Sequence, residues 1–300
     1  MSQTETSRLS ISIAAGKGGT GKTLVATSLA LALNDDYPGE VQMIDCDVEE
    51  PNAHLLLQPE IIEEAAVHVL VLEVNLDICT RCGECAKACQ FSAIAVIRQA
   101  VLTFYDLCAG CGACAYVCPV GAITEVQRQV GVVRAGCVGE QIDFVAGCLN
   151  VGDRRATPIT RAVKERIAPN RISILDAPPG TACPMQETVE DTDYCILVTE
   201  PTPFGRSNLQ DAVDTCERLG VPCGVIINRD GIGNQGVDDY CAAEGIEILM
   251  RIPQRREIAE AYSRGETLAE AHPQWRDDLV EMYKQIEEIV SSQYVQEGVS

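Results

Sequence analysis

The sequence predicts an α/β protein in which a mostly parallel sheet is flanked by helices and carries a small inserted α+β domain. Short apolar runs alternate with longer segments of helical spacing, which is typical of a parallel sheet covered on both faces. A cysteine-rich repeat interrupts this alternation and marks the insertion. The predicted strands are Leu9–Ala15, Val41–Asp45, Ile172–Ala177, Tyr194–Thr199, Val221–Asn228 and Ile246–Ile252. The predicted helices are Lys22–Asn34, Thr160–Ile167, Arg206–Leu219, Gln235–Ala243, Arg256–Ser263 and Asp277–Ser291.

Charge and length exclude several classes of protein. The 300 residues include 23 Lys and Arg against 44 Asp and Glu, a net charge of −21. Nucleic-acid phosphates and anionic membranes repel this excess, so we expect neither as a partner. The first residues lack a basic segment followed by a long apolar stretch, and the apolar run Leu24–Leu33 is about half as long as a membrane span. We therefore expect a cytoplasmic protein whose 16 cysteines serve metal or redox chemistry rather than disulfides.

A glycine-rich loop follows the first predicted strand. Gly16 to Thr23 fits the pattern G-x-x-x-x-G-K-[ST], in which backbone N–H groups surround phosphates at the start of a helix. Lys22 would reach the β- and γ-phosphates, and the Thr23 hydroxyl would hold Mg²⁺. The candidate nucleotide-binding residues of this loop are Gly16, Gly18, Gly19, Thr20, Gly21, Lys22 and Thr23.

The same loop allows a second interpretation. Its glycines also satisfy G-x-G-x-x-G, and Asp45 ends the second strand as in a dinucleotide-binding fold. Three features favour a nucleoside triphosphate instead. They are the Lys-Thr pair directly after the last glycine, a second lysine at Lys17, and Asp176 followed by Ala-Pro-Pro-Gly at the end of a later strand. The sequence therefore predicts a P-loop NTPase.

The second lysine indicates a subclass. With Lys17 at the second position of the loop, the motif resembles the deviant Walker A sequence of the MinD/ParA/Mrp-type ATPases, to which the nitrogenase iron protein also belongs. In that family the extra lysine reaches across a dimer interface to the partner's nucleotide. The resemblance implies that Lys17 acts in trans. It also implies that the active form is an ATP-sandwiched dimer, either a homodimer or a heterodimer with a paralogous ATPase.

Two acidic segments resemble the switches of the same family. Asp45 and Asp47, with Asn52, resemble switch I, which implies that Asp47 positions or polarises the attacking water. A structural alternative for Asp45 is a loop cap. Asp176, in the sequence LDAPPGT, resembles the Walker B aspartate at the start of switch II, which implies that it binds Mg²⁺ through water.

Two further positions extend the resemblance to the nucleotide. Gly180 would sense the γ-phosphate, and Asn228, at the end of a predicted strand, would contact adenine. For Asn228 the alternative is a turn residue. The guanine signature N-K-x-D is absent, since Asn228-Arg229-Asp230 has the wrong spacing, so ATP is preferred to GTP. The catalytic candidates are Lys17, Lys22, Asp47 and Asp176, and the candidate Mg²⁺ ligands are Thr23 and Asp176.

The cysteine repeat consists of two copies of C-x2-C-x2-C-x3-C, which begin at Cys79 and Cys108. This is the spacing of bacterial ferredoxins with two clusters, in which the fourth cysteine of each copy binds the other cluster. Zinc is the alternative, but zinc sites need two well-separated C-x2-C pairs. The predicted ligands are Cys79, Cys82, Cys85 and Cys118 for one 4Fe–4S cluster, and Cys108, Cys111, Cys114 and Cys89 for the other.

Together the motifs predict a ferredoxin-like insert at 72–130 within an ATPase domain formed by 1–71 and 131–300. The chain resembles the MinD-superfamily ATPases with an inserted ferredoxin domain, which implies ATP, Mg²⁺ and two 4Fe–4S clusters as cofactors. The resemblance favours ATP-dependent assembly or delivery of a metal or iron–sulfur cofactor to a small acceptor protein. The alternative is ATP-gated electron transfer to a redox partner, as in the nitrogenase iron protein. A MinD-like organising function is disfavoured by the acidic C-terminal helix, and the chain lacks the C-terminal C-x2-C of Mrp-type cluster carriers.

Overall fold

The computed structural model describes residues 8–98 and 100–297, and within them one nine-stranded sheet organises the molecule. Its strands are β1 (Ser10–Ala14), β2 (Val41–Asp45), β3 (Glu60–Val74), β6 (Ile123–Val138), β7 (Ile142–Leu149), β8 (Ile172–Asp176), β9 (Tyr194–Thr199), β10 (Cys223–Asp230) and β11 (Ile248–Pro253), while β4 (Ile94–Ile97) and β5 (Ala100–Thr103) form a separate hairpin. The order across the sheet is β11–β10–β9–β1–β8–β2–β7–β6–β3. The first seven strands in this order are parallel, and β6 and β3 are antiparallel to their neighbours. The prediction of a mostly parallel sheet is confirmed.

Helices cover both faces of this sheet. The helices of the described residues are α1 (Lys22–Asp36), α2 (Ala53–Leu57), α5 (Ala156–Lys164), α6 (Cys183–Val189), α7 (Pro203–Leu219), α8 (Gly236–Glu244), α9 (Arg256–Ser263), α10 (Leu268–Ala271) and α11 (Pro273–Glu297), with α3 (Glu84–Ala88) and α4 (Ala113–Tyr116) in the insert. On one face α1 and α11 share a core with the strands, and on the other face α5 to α8 do so. The apolar stripe of α11 is buried against the sheet, as its helical spacing requires, at Leu279, Tyr283, Ile286 and Val290. Among the helices described, none has the length and apolar composition that a bilayer span needs.

The carboxyl ends of the central strands meet beside the glycine-rich loop. Asp176 on β8 lies opposite Ile13 of β1 and opposite Asp45 of β2. The loop leaves β1 at Ala14 and enters α1 at Lys22. Ligands of open α/β sheets bind outside this edge because loops and helix N-termini converge there. The topology thus brings the loop and both acidic segments together.

A long antiparallel hairpin carries the cysteine repeat. β3 pairs with β6 along its whole length, whereas β6 pairs with β7 only over residues 131–138. The far halves of β3 and β6 therefore leave the sheet as a two-stranded stem, with α3, α4 and the β4–β5 hairpin at its end. The predicted domain boundaries, after residues 71 and 130, fall inside these continuous strands. The insert is thus joined to the sheet by paired strands rather than by a linker.

The strands β3, β6 and β7 are elements that the sequence patterns missed. The first five residues of β3 are all exposed, because this strand forms the edge of the sheet and has no buried face there. An apolar alternation is therefore not required. Glu63 pairs with Arg166 at 2.7 Å and Glu64 pairs with Arg134 at 2.8 Å. Such charges protect an edge strand from pairing with another chain.

Candidate functional site

The glycine-rich loop presents hydrogen-bond donors to a cavity of about 570 Å³. Gly19 and Gly21 have φ values of 76° and 98°, which residues with a Cβ rarely adopt. A Cβ at Gly21 would also lie 2.4 Å from the amide nitrogen of Asn228. No side chain caps the start of α1, so its first N–H groups are available to an anion. The buried hydroxyl of Thr20 also has no hydrogen-bond partner within residues 8–98 and 100–297. The loop has the donors that a polyphosphate requires.

Thr23 and Asp176 form a candidate magnesium site. The Thr23 hydroxyl donates to Oδ2 of Asp176 at 2.5 Å, and Oδ1 is buried without a partner in the described part of the chain. Burial raises the pKa of Asp176, and the positive charge of Lys22 opposes this shift. A buried carboxylate oxygen that lacks a partner, beside a hydroxyl, fits the oxygen ligands that Mg²⁺ prefers. Close by, Gly180 has a φ of 89° and donates to the Ala15 carbonyl, which ties switch II to the loop.

The two aspartates that resemble switch I, Asp45 and Asp47, have different surroundings. Asp45 is fully buried, and its carboxylate accepts the N–H groups of Asp47 at 3.1 Å and of Ala53 at 3.0 Å. Asp45 thus stabilises the loop through these hydrogen bonds, which is the loop-cap role given above as its alternative. Asp47 lines the cavity, and burial raises its pKa to about 6 against the lowering effect of Lys22. A carboxyl group with a pKa this close to neutrality suits proton exchange with an attacking water.

Lys17 lies outside the lining of this cavity. Its ammonium group donates to Oε2 of Glu200 at 2.7 Å and lies 5.5 Å from the centre of the Phe204 ring. The Glu200 side chain is only 7% exposed and also accepts from Arg229 at 2.5 Å. Sequence reasoning missed Glu200. The available signal was a charged residue directly after β9, at the same edge of the sheet as the loop.

Asn228 reaches the cavity, but its amide group is engaged within the protein. Nδ2 donates to the Thr20 carbonyl at 2.7 Å, and Oδ1 accepts the N–H of Arg229 at 2.8 Å. Asn228 therefore supports the phosphate loop, and contact with adenine stays a prediction. Sequence reasoning also missed the segment after β11, from which Gln254 and Tyr262 line the cavity.

Two cavities in the insert divide the cysteines of the repeat between them. Each holds three cysteines from one copy and the fourth cysteine from the other copy. The N–H groups of Ala93 and Ala122 donate to the sulfur atoms of Cys89 and Cys118 at 3.2 and 3.1 Å. This grouping coincides with the predicted ligand sets, whose occupancy by iron stays a prediction. The first cavity is lined by Cys79, Cys82, Cys85 and Cys118, and the second by Cys89, Cys108, Cys111 and Cys114.

The arrangement of the side chains meets no general criterion for a metal-ion site. Among the described residues, no group of three or more His, Cys, Asp or Glu side chains is placed to hold a metal ion. A 4Fe–4S cluster has a different requirement, because each of its four thiolates binds a separate iron atom. The cavities differ in charge, since Arg81 lines the first and Glu125 lines the second.

The fold and the loop define the class of the protein: it is an α/β nucleotide-binding protein with a P-loop between β1 and α1. The sequence profile of the CobQ/CobB/MinD/ParA nucleotide binding domain matches residues 11–268. The chain therefore belongs to the CobQ/CobB/MinD/ParA nucleotide-binding family.

Individual relatives extend over nearly the whole chain. A protein of Methanocaldococcus jannaschii described as uncharacterised is 29% identical over 287 residues, which cover 94% of this chain and 98% of that protein. A second uncharacterised protein of the same organism is 28% identical and covers 86% of this chain and 90% of its own length. The septum site-determining protein MinD of Pyrococcus horikoshii, complexed with Mg-ADP, has a similar structure. Its TM-score is 0.58 at 18% identity, with 94% of this chain and 97% of that chain covered. At this identity the likeness shows the fold alone.

Proposed function

We propose that the chain binds and hydrolyses ATP as a nucleotide-dependent dimer. The donors of the loop, the orphaned oxygen of Asp176 and the raised pKa of Asp47 support this activity. Bound MgATP supplies the phosphoryl group that water attacks. Lys22 and the loop N–H groups stabilise charge on the phosphates, and Asp47 orients the water whose oxygen forms the new bond to phosphorus. The bond to the ADP oxygen breaks, the attacking water loses a proton to the Asp47 carboxylate, which returns it to solvent, and ADP and phosphate leave.

The insert, in this proposal, binds two 4Fe–4S clusters. The chemistry of the cavities supports it, because each gathers four thiols from both copies of the repeat and main-chain N–H groups donate to sulfur. When bound, such clusters supply one-electron redox chemistry. Each ligand set takes one cysteine from the other copy, so releasing either cluster would disturb both halves of the insert. We therefore assign the clusters as resident groups rather than as cargo.

The overall function we propose is ATP-dependent assembly or delivery of a metal or iron–sulfur cofactor to a partner protein. The observation that carries this proposal is that each cavity takes three cysteines from one copy of the repeat and one from the other. Because they favour retention of both insert clusters, the cofactor that is transferred has another source, and the insert supplies electrons for the transfer. An ATP-driven dimer with an attached electron source suits a reaction that builds or inserts a metal–sulfur centre reductively.

Direct ATP-gated electron transfer to a redox partner is the second candidate. One observation favours it: each cavity has an exposed apolar residue in its lining. Phe91 of the second cavity is 52% exposed, and Val120 of the first is 42% exposed. Exposed apolar side chains of this kind suit a protein interface, and here they would let an acceptor approach the clusters closely.

Two iron isotopes distinguish the candidates. The chain is loaded with ⁵⁷Fe, then incubated under anaerobic conditions with MgATP, ⁵⁵Fe²⁺, sulfide, dithionite and an apo-ferredoxin as acceptor. Cofactor delivery predicts that MgATP accelerates the appearance of ⁵⁵Fe on the acceptor while the ⁵⁷Fe stays with the chain. Electron transfer predicts no effect of MgATP on ⁵⁵Fe, but faster reduction of an oxidised ferredoxin. Transfer of ⁵⁷Fe would contradict residency, and the variant Lys22→Ala is the control for dependence on ATP.

A further inference from the structure

Two cations share the carboxylate of Glu200 at the edge of the nucleotide site. Lys17 of the glycine-rich loop donates to Oε2 at 2.7 Å, and Arg229 of β10 donates from Nη1 to Oε1 at 2.5 Å. The Glu200 side chain is 7% exposed, and among the residues that the structure describes its ion pairs are these two. A carboxylate this deeply buried is costly unless a cation compensates its charge. Each cation therefore stabilises the charge of Glu200.

The backbone at Arg229 has an unusual conformation. Its φ is 56°, in the left-handed region that a residue with a Cβ rarely adopts. The pairing of β10 with β11 shifts in register between Asn228 and Asp230, so Arg229 lies at an irregularity of the strand. Irregularities of this kind change the direction of a side chain, and they are frequent beside functional sites. An arginine in this conformation has an energetic cost, which indicates a function for its side chain.

The amide group of Asn228 links this irregularity to the phosphate loop. Its Oδ1 accepts the N–H of Arg229 at 2.8 Å, and its Nδ2 donates to the Thr20 carbonyl at 2.7 Å. The two cations reach Glu200 from different elements, Lys17 from the loop after β1 and Arg229 from the end of β10. A movement of Lys17 alone therefore leaves the contact between Arg229 and Glu200 intact.

Lys17 has to leave Glu200 before it can act on a nucleotide, because it lies outside the lining of the nucleotide cavity. Without a second cation, this departure would leave a buried carboxylate with no ion-pair partner among the described residues. Arg229 stays on the other oxygen and compensates the remaining charge. It also weakens the attraction between Glu200 and Lys17, since the two cations repel each other. Both effects lower the cost of releasing Lys17.

We propose that Arg229 is a positioning residue for Lys17: it compensates the charge of Glu200 when Lys17 moves to the nucleotide of the partner protomer. This inference rests on the proposed ATP-dependent dimer. The guanidinium takes no part in phosphoryl transfer itself. Its effect is on the equilibrium between monomer and dimer, because the dimer becomes more stable by the amount that the release of Lys17 becomes less costly.

The test is the dimer Kd, measured by sedimentation with a non-hydrolysable ATP analogue and Mg²⁺. In Arg229→Gln the dimer weakens about tenfold, within the range of coupling between residues of one ion-pair network. Arg229→Lys keeps the charge and restores most of the wild-type Kd. Arg264→Gln is the matched control, since it removes the same charge from an exposed pair with Glu266, and it leaves the Kd unchanged.

Two further variants separate charge compensation from other roles of Arg229. Arg229→Gly removes the charge together with the unfavourable backbone conformation, so its Tm equals or exceeds that of Arg229→Gln while its dimer is equally weak. In a Glu200→Gln background, Arg229→Gln leaves the Kd unchanged, because no carboxylate charge remains to be compensated. Arg229 also lines the nucleotide cavity, and direct contact with the nucleotide would weaken the dimer equally in both backgrounds.

The wild-type chain separates the possible failures. A wild type that stays monomeric with the analogue would overturn the proposed dimer and this role of Arg229 with it. A wild-type dimer beside an Arg229→Gln dimer of equal Kd would overturn the role of Arg229 alone. Equal weakening in both backgrounds, no recovery in Arg229→Lys, or an Arg229→Gly dimer as tight as the wild type would also overturn it. These results indicate nucleotide contact, a requirement other than charge, and a backbone effect, respectively.

Discussion

Glu200 holds Lys17 in its own protomer, and this contact opposes the proposed action of Lys17 on the nucleotide of a partner. The substitution Glu200→Gln tests that opposition. It keeps an oxygen that can accept the Lys17 hydrogen bond, now 2.7 Å long, but it removes the carboxylate charge. Because Glu200 is 7% exposed and Lys17 is 24% exposed, water screens this ion pair less than it screens a surface pair.

The size of the effect follows from the hydrogen bond. A bond to a charged group contributes about 1.5–3 kcal/mol, whereas a neutral bond contributes about 0.5–1.5 kcal/mol. We therefore expect the interaction of Lys17 with residue 200 to weaken by about 1 kcal/mol in each protomer. A symmetric dimer releases two lysines, and about 2 kcal/mol corresponds to an ATP-dependent dimer that is about 30-fold tighter.

Sedimentation with a non-hydrolysable ATP analogue and Mg²⁺ measures the dimer Kd. Glu64→Gln is the matched control, since it removes the same charge from an exposed pair with Arg134, and its Kd should equal that of the wild type. Adding Lys17→Ala to Glu200→Gln should abolish the tightening. A Glu200→Gln dimer as weak as the wild type, or equal tightening in the double variant, would refute the reasoning.

Three further predictions concern the site residues. Burial raises the pKa of Asp47 to about 6, so the folded chain favours the protonated carboxyl group. The contribution of this group to the free energy of unfolding is therefore complete below its ordinary pKa and is lost as the pH rises through about 6. Urea unfolding of the nucleotide-free chain should therefore find Asp47→Asn more stable than the wild type at pH 7.5, by about 1–3 kcal/mol, and equal to it at about pH 3; equal stability at pH 7.5 would contradict this. Lys22→Ala should abolish MgATP binding in calorimetry with little change in Tm, and retained affinity would reject the loop assignment. Cys111→Ser should halve the iron content of the chain while Cys137→Ser, outside both cavities, leaves it unchanged; full iron in Cys111→Ser would remove Cys111 from the ligands.

The phosphate loop could be predicted from the sequence because its conformation is set locally. Gly19 and Gly21 have positive φ values, which residues with a Cβ rarely adopt, and α1 begins at Lys22 as the motif requires. The central strands were predictable for a similar reason, since a strand buried on both faces is a nearly continuous apolar run. β8 and β9 are buried along their full length and lie within or at the ranges predicted for them.

The features that the sequence did not reveal depend on distant parts of the chain. Glu200 and Lys17 are far apart in sequence, and only the pairing of β1 with β9 brings them together. The first five residues of β3, at the edge of the sheet, are all exposed, so no buried apolar pattern distinguishes the start of this strand.

The central claim is that one chain couples a nucleotide site to two 4Fe–4S clusters. The most direct test is an anaerobic EPR redox titration of the wild-type chain with and without MgATP, with the iron content measured on the same sample. The account predicts two clusters whose midpoint potentials MgATP shifts. A chain without reducible clusters, or potentials that MgATP leaves unchanged, would contradict it.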